Sequence, residues 1–456
     1  MRLFSMYSWN RQRHVLNAYQ VKFIGKPWAG GVVLLVCVAI AMLLANLPFT
    51  AEIYHNLLHT NLSLNIGYGD HQIIFPKEMT LEKAINDGLM VIFFFTVGLE
   101  IKRELLFGQL SSPKKALLPV MAALGGMLAP AAIYTIFNYG TPAESGWGIP
   151  TATDIAFAVG ILSMLGDRVP VSLKVFLTAL AIADDLGAIV VIALFYGGTI
   201  EWGCLGVAML VMGFVLIQNL LGEKRQMYYL VPAIIVWSLF YYSGVHSTIS
   251  GVAMAMLIPT KPRFSKEYFL HKCQRLTKEI YRTADTEETF PATVHRYYLR
   301  RIGRLEYSSI GMSYRLEHRL SPYVTFIIMP IFALANAGVV IPSVEYFNIF
   351  DTAAISGATG LGVFFGLLIG KPLGILIASF LAVKSGLAEK PAGASWKMLL
   401  AVACLGGIGF TMSIFVDTLA FSSIEHINSG KIAILMGSTA AAILGTILII
   451  LFSRKK

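Results

Sequence analysis

Twelve apolar windows, most of them close to 20 residues long, run along the chain with polar loops between them. They fall at roughly 28–47, 82–105, 115–138, 149–165, 171–196, 201–221, 228–243, 247–259, 322–341, 356–384, 397–419 and 429–453. At 1.5 Å per residue, about 20 residues of helix match the hydrocarbon thickness of a bilayer. The windows are continuous. The strands of a membrane barrel would instead show alternating strips of about ten residues, so the pattern predicts helices. The windows 228–243 and 247–259 are the shortest and lie close together. One polar stretch alternates instead: LSLNIGYGDHQIIF, residues 62–75, predicts a short extracellular β-hairpin turning near Gly67 and Gly69.

Composition narrows the class. Hydrophobic residues make up 56% of the 456 and charged residues only 14%, against about 25% charged in an average soluble domain. This excludes a soluble fold and predicts an all-α polytopic membrane protein, one membrane domain spanning residues 1–456. The basic N-terminus followed by an apolar run imitates a secretory signal. About eleven further spans follow it, so a retained first helix is expected. Cys37, Cys204, Cys273 and Cys404 have neither disulfide nor metal-ligand spacing.

Charge supplies the topology. With the N-terminus in the cytoplasm, Lys77, Lys83 and Lys431 fall on or near the outer side and Lys371 inside a span. Every other one of the 36 Lys and Arg falls on the cytoplasmic side. The outer loops carry Glu52, Asp70, Glu144, Glu201, Glu345 and Asp351 instead. This is the positive-inside pattern, and it places both termini in the cytoplasm. The net charge of +10 is therefore a topology signal and no sign of a nucleic-acid partner. One loop, 260–321, is strongly basic, with thirteen Lys/Arg and seven Asp/Glu. Within it, Arg296 to Leu320 has the apolar spacing of an amphipathic helix, either at the cytoplasmic interface or solvated.

Ionisable residues then interrupt the apolar windows. Asp184 and Asp185 lie near the middle of the fifth span, in LAIADDLGAIVV. Lys371 sits about 20 Å from either end of the tenth span, too far to snorkel. Asp87 opens the second span, Asp154 lies early in the fourth, and Asp417 is near enough to the end of the eleventh to reach the outer interface. Each such group costs at least about 2.5–3.5 kcal/mol near the bilayer centre and marks an ion or proton path. Neighbouring residues on a helix point about 100° apart, so one aspartate can pair with Lys371 while the other faces a cavity. Two dry carboxylates that also repel each other titrate as a coupled unit and hold a proton or a small cation.

The backbone is interrupted as well. GWGIPTATDIAFAVG (146–160) and CLGGIGFTMSIF (404–415) combine Gly, Pro and Thr within spans four and eleven. Two broken spans in corresponding positions predict inverted copies, spans 3–4–5 and 10–11–12, with an ion site at the breaks.

These residues resemble one family, the NhaA sodium/proton antiporters. The matching stretches are INDGLMVIFFFTVGLEIKREL (85–105), GIPTATDIAFAVGILSMLG (148–166), VSLKVFLTALAIADDLGAIVVIALFY (171–196), SGVHSTISGV (243–252), PIFALANAGV (330–339), LLIGKPLGI (367–375) and GGIGFTMSIF (406–415). They cover most of the chain outside 1–20 and 264–310. The family is itself a known example of inverted-repeat transporters, so that agreement is not independent support. The resemblance implies that Asp185 is the main cation ligand and proton carrier and that Asp184 is the partner of Lys371. It implies that Thr153 and Asp154 support the crossing of the broken helices and that Asp87 lies near the path. Glu100, Arg103, Glu104, His246, Glu317 and His318 would form the pH-sensing or ion-access region. The hairpin at 62–75 would serve a homodimer contact. A long insertion before Tyr314 departs from the family pattern.

The expected function is exchange of cytoplasmic Na⁺ or Li⁺ for external H⁺ across a bacterial inner membrane, pH-regulated and electrogenic. The ions are substrates; no cofactor and no enzymatic activity are expected. Two rivals are weaker. A sodium-coupled solute symporter would need an organic-substrate pocket beyond the ion site. An intramembrane aspartyl protease would need its GxGD motif in a span, whereas the GYGD at 67–70 lies in an outer loop.

Overall fold

The computed structural model describes residues 26, 28–62, 64–68, 71–75, 79–262, 264–284, 292–340 and 355–453. The outer-loop acids Asp70, Glu345 and Asp351 lie outside the described residues, as do the basic N-terminal segment and the middle of the 260–321 loop. Among the described residues, nine helices are long and apolar enough to cross a membrane. They are α1 (Ala29–Asn46), α3 (Leu81–Phe107), α4 (Pro113–Asn138), the segment Glu144–Met164, α6 (Val171–Phe195), α7 (Trp202–Leu220), α12 (Met312–Asn336), α13 (Ala358–Lys384) and α16 (Ile424–Phe452). A tenth span is the bent pair α14 (Trp396–Gly406) and α15 (Phe410–Ala420), which meet at 49°. Two shorter apolar helices, α8 (Met227–Ser243) and α9 (Ser247–Leu257), occupy the two shortest windows. Short helix α2 (Ala51–Leu58) follows α1. Strands Leu64–Tyr68 and His71–Phe75 then pair antiparallel, with Leu64 opposite Phe75 and Tyr68 opposite His71.

Burial is inverted relative to a soluble protein. Large apolar side chains such as Leu128, Ile136, Leu210 and Phe214 are exposed, while Asp154, Asp184, Asp185 and Lys371 are buried. An apolar exterior around a charged interior suits lipid as solvent.

The chain divides into two compact units. The first comprises residues 1–93, 104–198 and 323–456, and the second 94–103 and 199–322. In the first, α13 packs along α4 through small residues. A Cβ on Gly374 would overlap the carbonyl of Gly125, and one on Gly125 would overlap that of Gly374. Gly366 lies against Pro150 and Gly370 against Pro130 in the same way. Without side chains at these points the backbones approach closely, the usual basis of helix association in lipid. The turn Gly366–Gly370 is π-helical and leads directly into Lys371. A second π-helical turn, Ala84–Leu89, holds Asp87. Such turns re-aim a helix and gather at functional positions.

The second unit buries Phe95, Leu99, Tyr229, Val236, Phe240, Met254 and Met312 in one apolar cluster. Gly98 leaves room for Val252 and Ala255. Lys102 donates to the carbonyls of Met256 (2.6 Å) and Ile258 (2.5 Å), capping the C-terminal end of α9 with a cation. The basic loop holds two helices, α10 (Lys266–Ala284) and α11 (Ala292–Ser309). The single helix expected from Arg296 to Leu320 is thus divided: α11 stops at Ser309 and α12 begins at Met312. The reason is a backbone contact from a distant part of the chain. Gly311 sits so close to the Thr260 carbonyl that no Cβ fits there, and its backbone is held out of the helix.

Candidate functional site

The fourth span is not one helix. Residues Glu144–Thr151 form a 3₁₀ segment, residues 152–154 are extended, and α5 (Ile155–Met164) follows. The break in the eleventh span lies at residues 407–409, where the glycines of GGIG permit close approach. A Cβ on Gly407 would overlap the Leu367 carbonyl. The two unwound stretches cross. The Asp154 N–H donates to the Ile408 carbonyl at 2.7 Å, and the Thr153 hydroxyl lies 2.9 Å from the Gly406 carbonyl.

Two helices therefore begin at one point, each with a positive N-terminal end. The carboxylate of Asp154 serves both. Its Oδ1 accepts from the Phe157 N–H (3.2 Å), capping α5. Its Oδ2 accepts from the Thr411 hydroxyl (2.5 Å) and the Thr411 N–H (3.4 Å) in the first turn of α15. The Ser438 hydroxyl of α16 takes the remaining N–H groups of Gly409 and Phe410 at 3.1 and 3.2 Å. Asp154→Ala is expected to lower stability by about 1–2 kcal/mol for each cap lost, whereas Asp154→Asn keeps most of it, because Asn caps nearly as well as Asp. Apparent thermal midpoints of the detergent-solubilised variants check this.

Lys371 is the complementary charge. It is 1% exposed, and its ammonium donates to the Thr151 carbonyl, at the negative end of the 3₁₀ segment, and to Asp184 Oδ2 at 2.7 Å. The Thr153 hydroxyl lies 2.6 Å from the same Oδ2. With one proton, Thr153 can donate to Asp184 or to the Gly406 carbonyl, but not to both fully. Asp184 Oδ1 is buried without a hydrogen-bond partner. Asp185, the next residue of α6, is 5% exposed and within electrostatic reach of Lys371. One small buried region thus holds two carboxylates, one ammonium, a hydroxyl and carbonyls freed by the breaks. Such a site can exchange a proton for a small cation by rearranging the Asp184–Lys371 pair.

The remaining expected residues divide between the two units. Asp87 is half-buried in its π-helical turn of the first unit, to which Glu104 also belongs. The second unit brings Glu100, Arg103, Glu317 and His318 together. Arg103 Nη1 pairs with Glu317 Oε1 at 2.9 Å, and Nη2 lies 3.8 Å from Glu100 Oε1. The His318 ring meets Tyr314 edge-on at 4.3 Å. His246 is half-buried at the N-cap of α9.

Several residues escaped the reading of the sequence. Thr411, the partner of Asp154, is 257 positions away. Its place in the GGIGFT break was the available signal. Asn86 and Asn336 exchange reciprocal amide hydrogen bonds (3.0 and 2.7 Å) beside Asp87 in the chain. Asp417 does not reach an interface: it is fully buried.

A family model described as Na⁺/H⁺ antiporter 1 matches residues 21–449. The chain belongs to that family. It is 43% identical to the Na⁺/H⁺ antiporter NhaA of Oleidesulfovibrio alaskensis, over 94% of this chain and 92% of that protein. It is 44% identical to the Na⁺/H⁺ antiporter NhaA 2 of Sorangium cellulosum, over 92% and 87%. It is 41% identical to the Na⁺/H⁺ antiporter NhaA of Wolinella succinogenes, over 97% and 95%. Family membership makes the chain a multi-pass membrane transporter and not an enzyme.

Proposed function

We propose that the protein exchanges cytoplasmic Na⁺, and also Li⁺, for external H⁺ across the bacterial inner membrane. One observation carries the reading: the buried Asp184–Lys371 pair, with Asp185 next to it, stands where two broken helices cross. A sodium ion arriving from the cytoplasm meets Asp185 and displaces its proton. The ion also competes with Lys371 for Asp184. Once Asp184 turns to the ion, the lysine is left with the Thr151 carbonyl in a dry site and gives up its own proton. Ion and protons compete for the same groups, so exchange is obligatory without a further coupling device. If both Asp185 and the Asp184–Lys371 unit release a proton per ion, each cycle moves net charge.

The antiporter names of the relatives support the substrates. The architecture is read as twelve spans, counting the two shorter helices, with both termini cytoplasmic. Spans 3–4–5 and 10–11–12 are read as inverted copies, and each contains a middle helix broken where the other crosses it. That design favours rocking around a fixed midplane site. The Arg103–Glu317–Glu100 cluster, with Glu104, His246 and His318, is assigned to pH control, and Asp87 to the approach path. The paired strands at 64–75 are assigned to a homodimer contact.

Sodium-driven dequenching of a pH-sensitive dye in everted vesicles tests the function. Sodium and lithium are expected to dequench the dye. No response to either ion across pH 6 to 9 would overturn the reading, and a response requiring an organic co-solute would favour a symporter.

A further inference from the structure

Among the described residues, the site at the crossed helices leaves the buried pair Asp417 and Lys431 unused. Asp417 lies in α15, seven residues beyond Phe410 and three before Ala420, so about 10 Å along the helix from the crossing and about 4.5 Å from the end of the helix. It is 0% exposed, and neither carboxylate oxygen has a hydrogen-bond partner. The carboxyl is seated against Gly430 of α16, where any Cβ would overlap Oδ1. Beside that glycine stands Lys431, 7% exposed, within electrostatic reach of Asp417 but not hydrogen-bonded to it.

The other surrounding groups do not supply donors. Tyr134 of α4 and Tyr196 at the end of α6 are within electrostatic reach, but the Tyr134 hydroxyl donates to the Ala143 carbonyl (2.7 Å) and that of Tyr196 to the Ser145 carbonyl (2.8 Å). The 3₁₀ segment packed on α15 contributes only Glu144, which is exposed, and the stretch Met329–Asn336 of α12 contributes no titratable group. Glu82 of α3 acts on Lys431, and His426 of α16 packs its ring on Phe421.

A buried carboxylate with no donor is costly, and such a group takes up a proton instead. A charge kept inside a span despite that cost marks a proton or ion path. We propose that Asp417, seated against Gly430 and opposed by Lys431, is a second proton-binding station, on the route by which external protons reach the aspartate pair. Its place on the route rests on the antiport reading; its proton does not. In the proposed topology the loop after Ala420 faces outward, so Asp417 stands between the outer solution and the crossed helices. Protonation occurs with the outer face open, and the nearby ammonium favours release inward once Asp185 is vacant.

Two readouts separate the parts of this proposal. Infrared difference spectra of the reconstituted protein between low and high pH are expected to show a protonated-carboxyl band that Asp417→Asn removes. Lys431→Met, which deletes the opposing cation, is expected to keep that band to higher pH. In right-side-out vesicles, Asp417→Asn is expected to lose exchange rate severalfold at alkaline outer pH while the cytoplasmic KM for sodium is unchanged. A purely structural Asp417 would lower yield or stability without moving the outer-pH profile. A band unaffected by both substitutions would overturn the proton assignment. A normal band change with an unaltered outer-pH profile would overturn the place on the route. Absence of exchange in the unsubstituted protein would sink the antiport reading and leave the infrared result standing.

Discussion

Asp185→Asn is expected to abolish sodium-driven proton movement while leaving the protein folded. The substitution is isosteric, and Asp185 is a buried residue of a continuous helix, so packing is conserved. What is lost is the charge that attracts a cation into a dry site and the group that yields a proton to it. Neutral amides do neither at physiological pH. The expected rate in everted vesicles is that of empty membranes, with an unchanged elution profile of the solubilised protein. Asp184→Asn is expected to differ in kind. It removes the partner of Lys371, so sodium affinity and stability fall together. Exchange surviving in Asp185→Asn at the normal rate would remove this residue from the transport site.

Lys371→Met is expected to destabilise the protein strongly, and adding Asp184→Asn to restore most of the loss. Lys371 and Asp184 are 1% and 2% exposed and 2.7 Å apart. Removing one member of such a pair leaves an uncompensated buried charge, a cost of about 3–5 kcal/mol, whereas replacing both by neutral groups is often close to neutral. Apparent thermal midpoints of the two single variants and the double variant complete the cycle. Additive losses would mean that the two charges do not act as a unit. The double variant is expected to be stable but strongly impaired in exchange, because the Asp184 ligand is gone and only Asp185 remains to trade a proton for the ion.

The sequence made the spans, the expensive charges and the breaks legible, because each is a local signal. A lysine in the middle of LLIGKPLGI and two adjacent aspartates in LAIADDLGAI are conspicuous in apolar surroundings. Pairing was less legible. The 100° separation of the two side chains lets either aspartate take the lysine; the family resemblance implies Asp184, and the structure places Asp184 on Lys371. Thr411 belongs to Asp154 only because two unwound segments cross; the local sequence marks each break but not which residue of the other break it meets. Asp417 was misplaced for a related reason. A charge three residues from a helix end can snorkel, and only the packing of Gly430 against it shows that it does not. The division of the Arg296–Leu320 stretch depended on a long-range backbone approach, between Gly311 and Thr260.

Sodium and protons are proposed to compete for Asp185 and the Asp184–Lys371 unit. Proton release on adding sodium to the purified, weakly buffered protein tests this competition most directly. More than one proton released per sodium bound, and fewer in Asp185→Asn, is the result expected. Sodium binding without proton release, or release that is the same in Asp185→Asn, would contradict it.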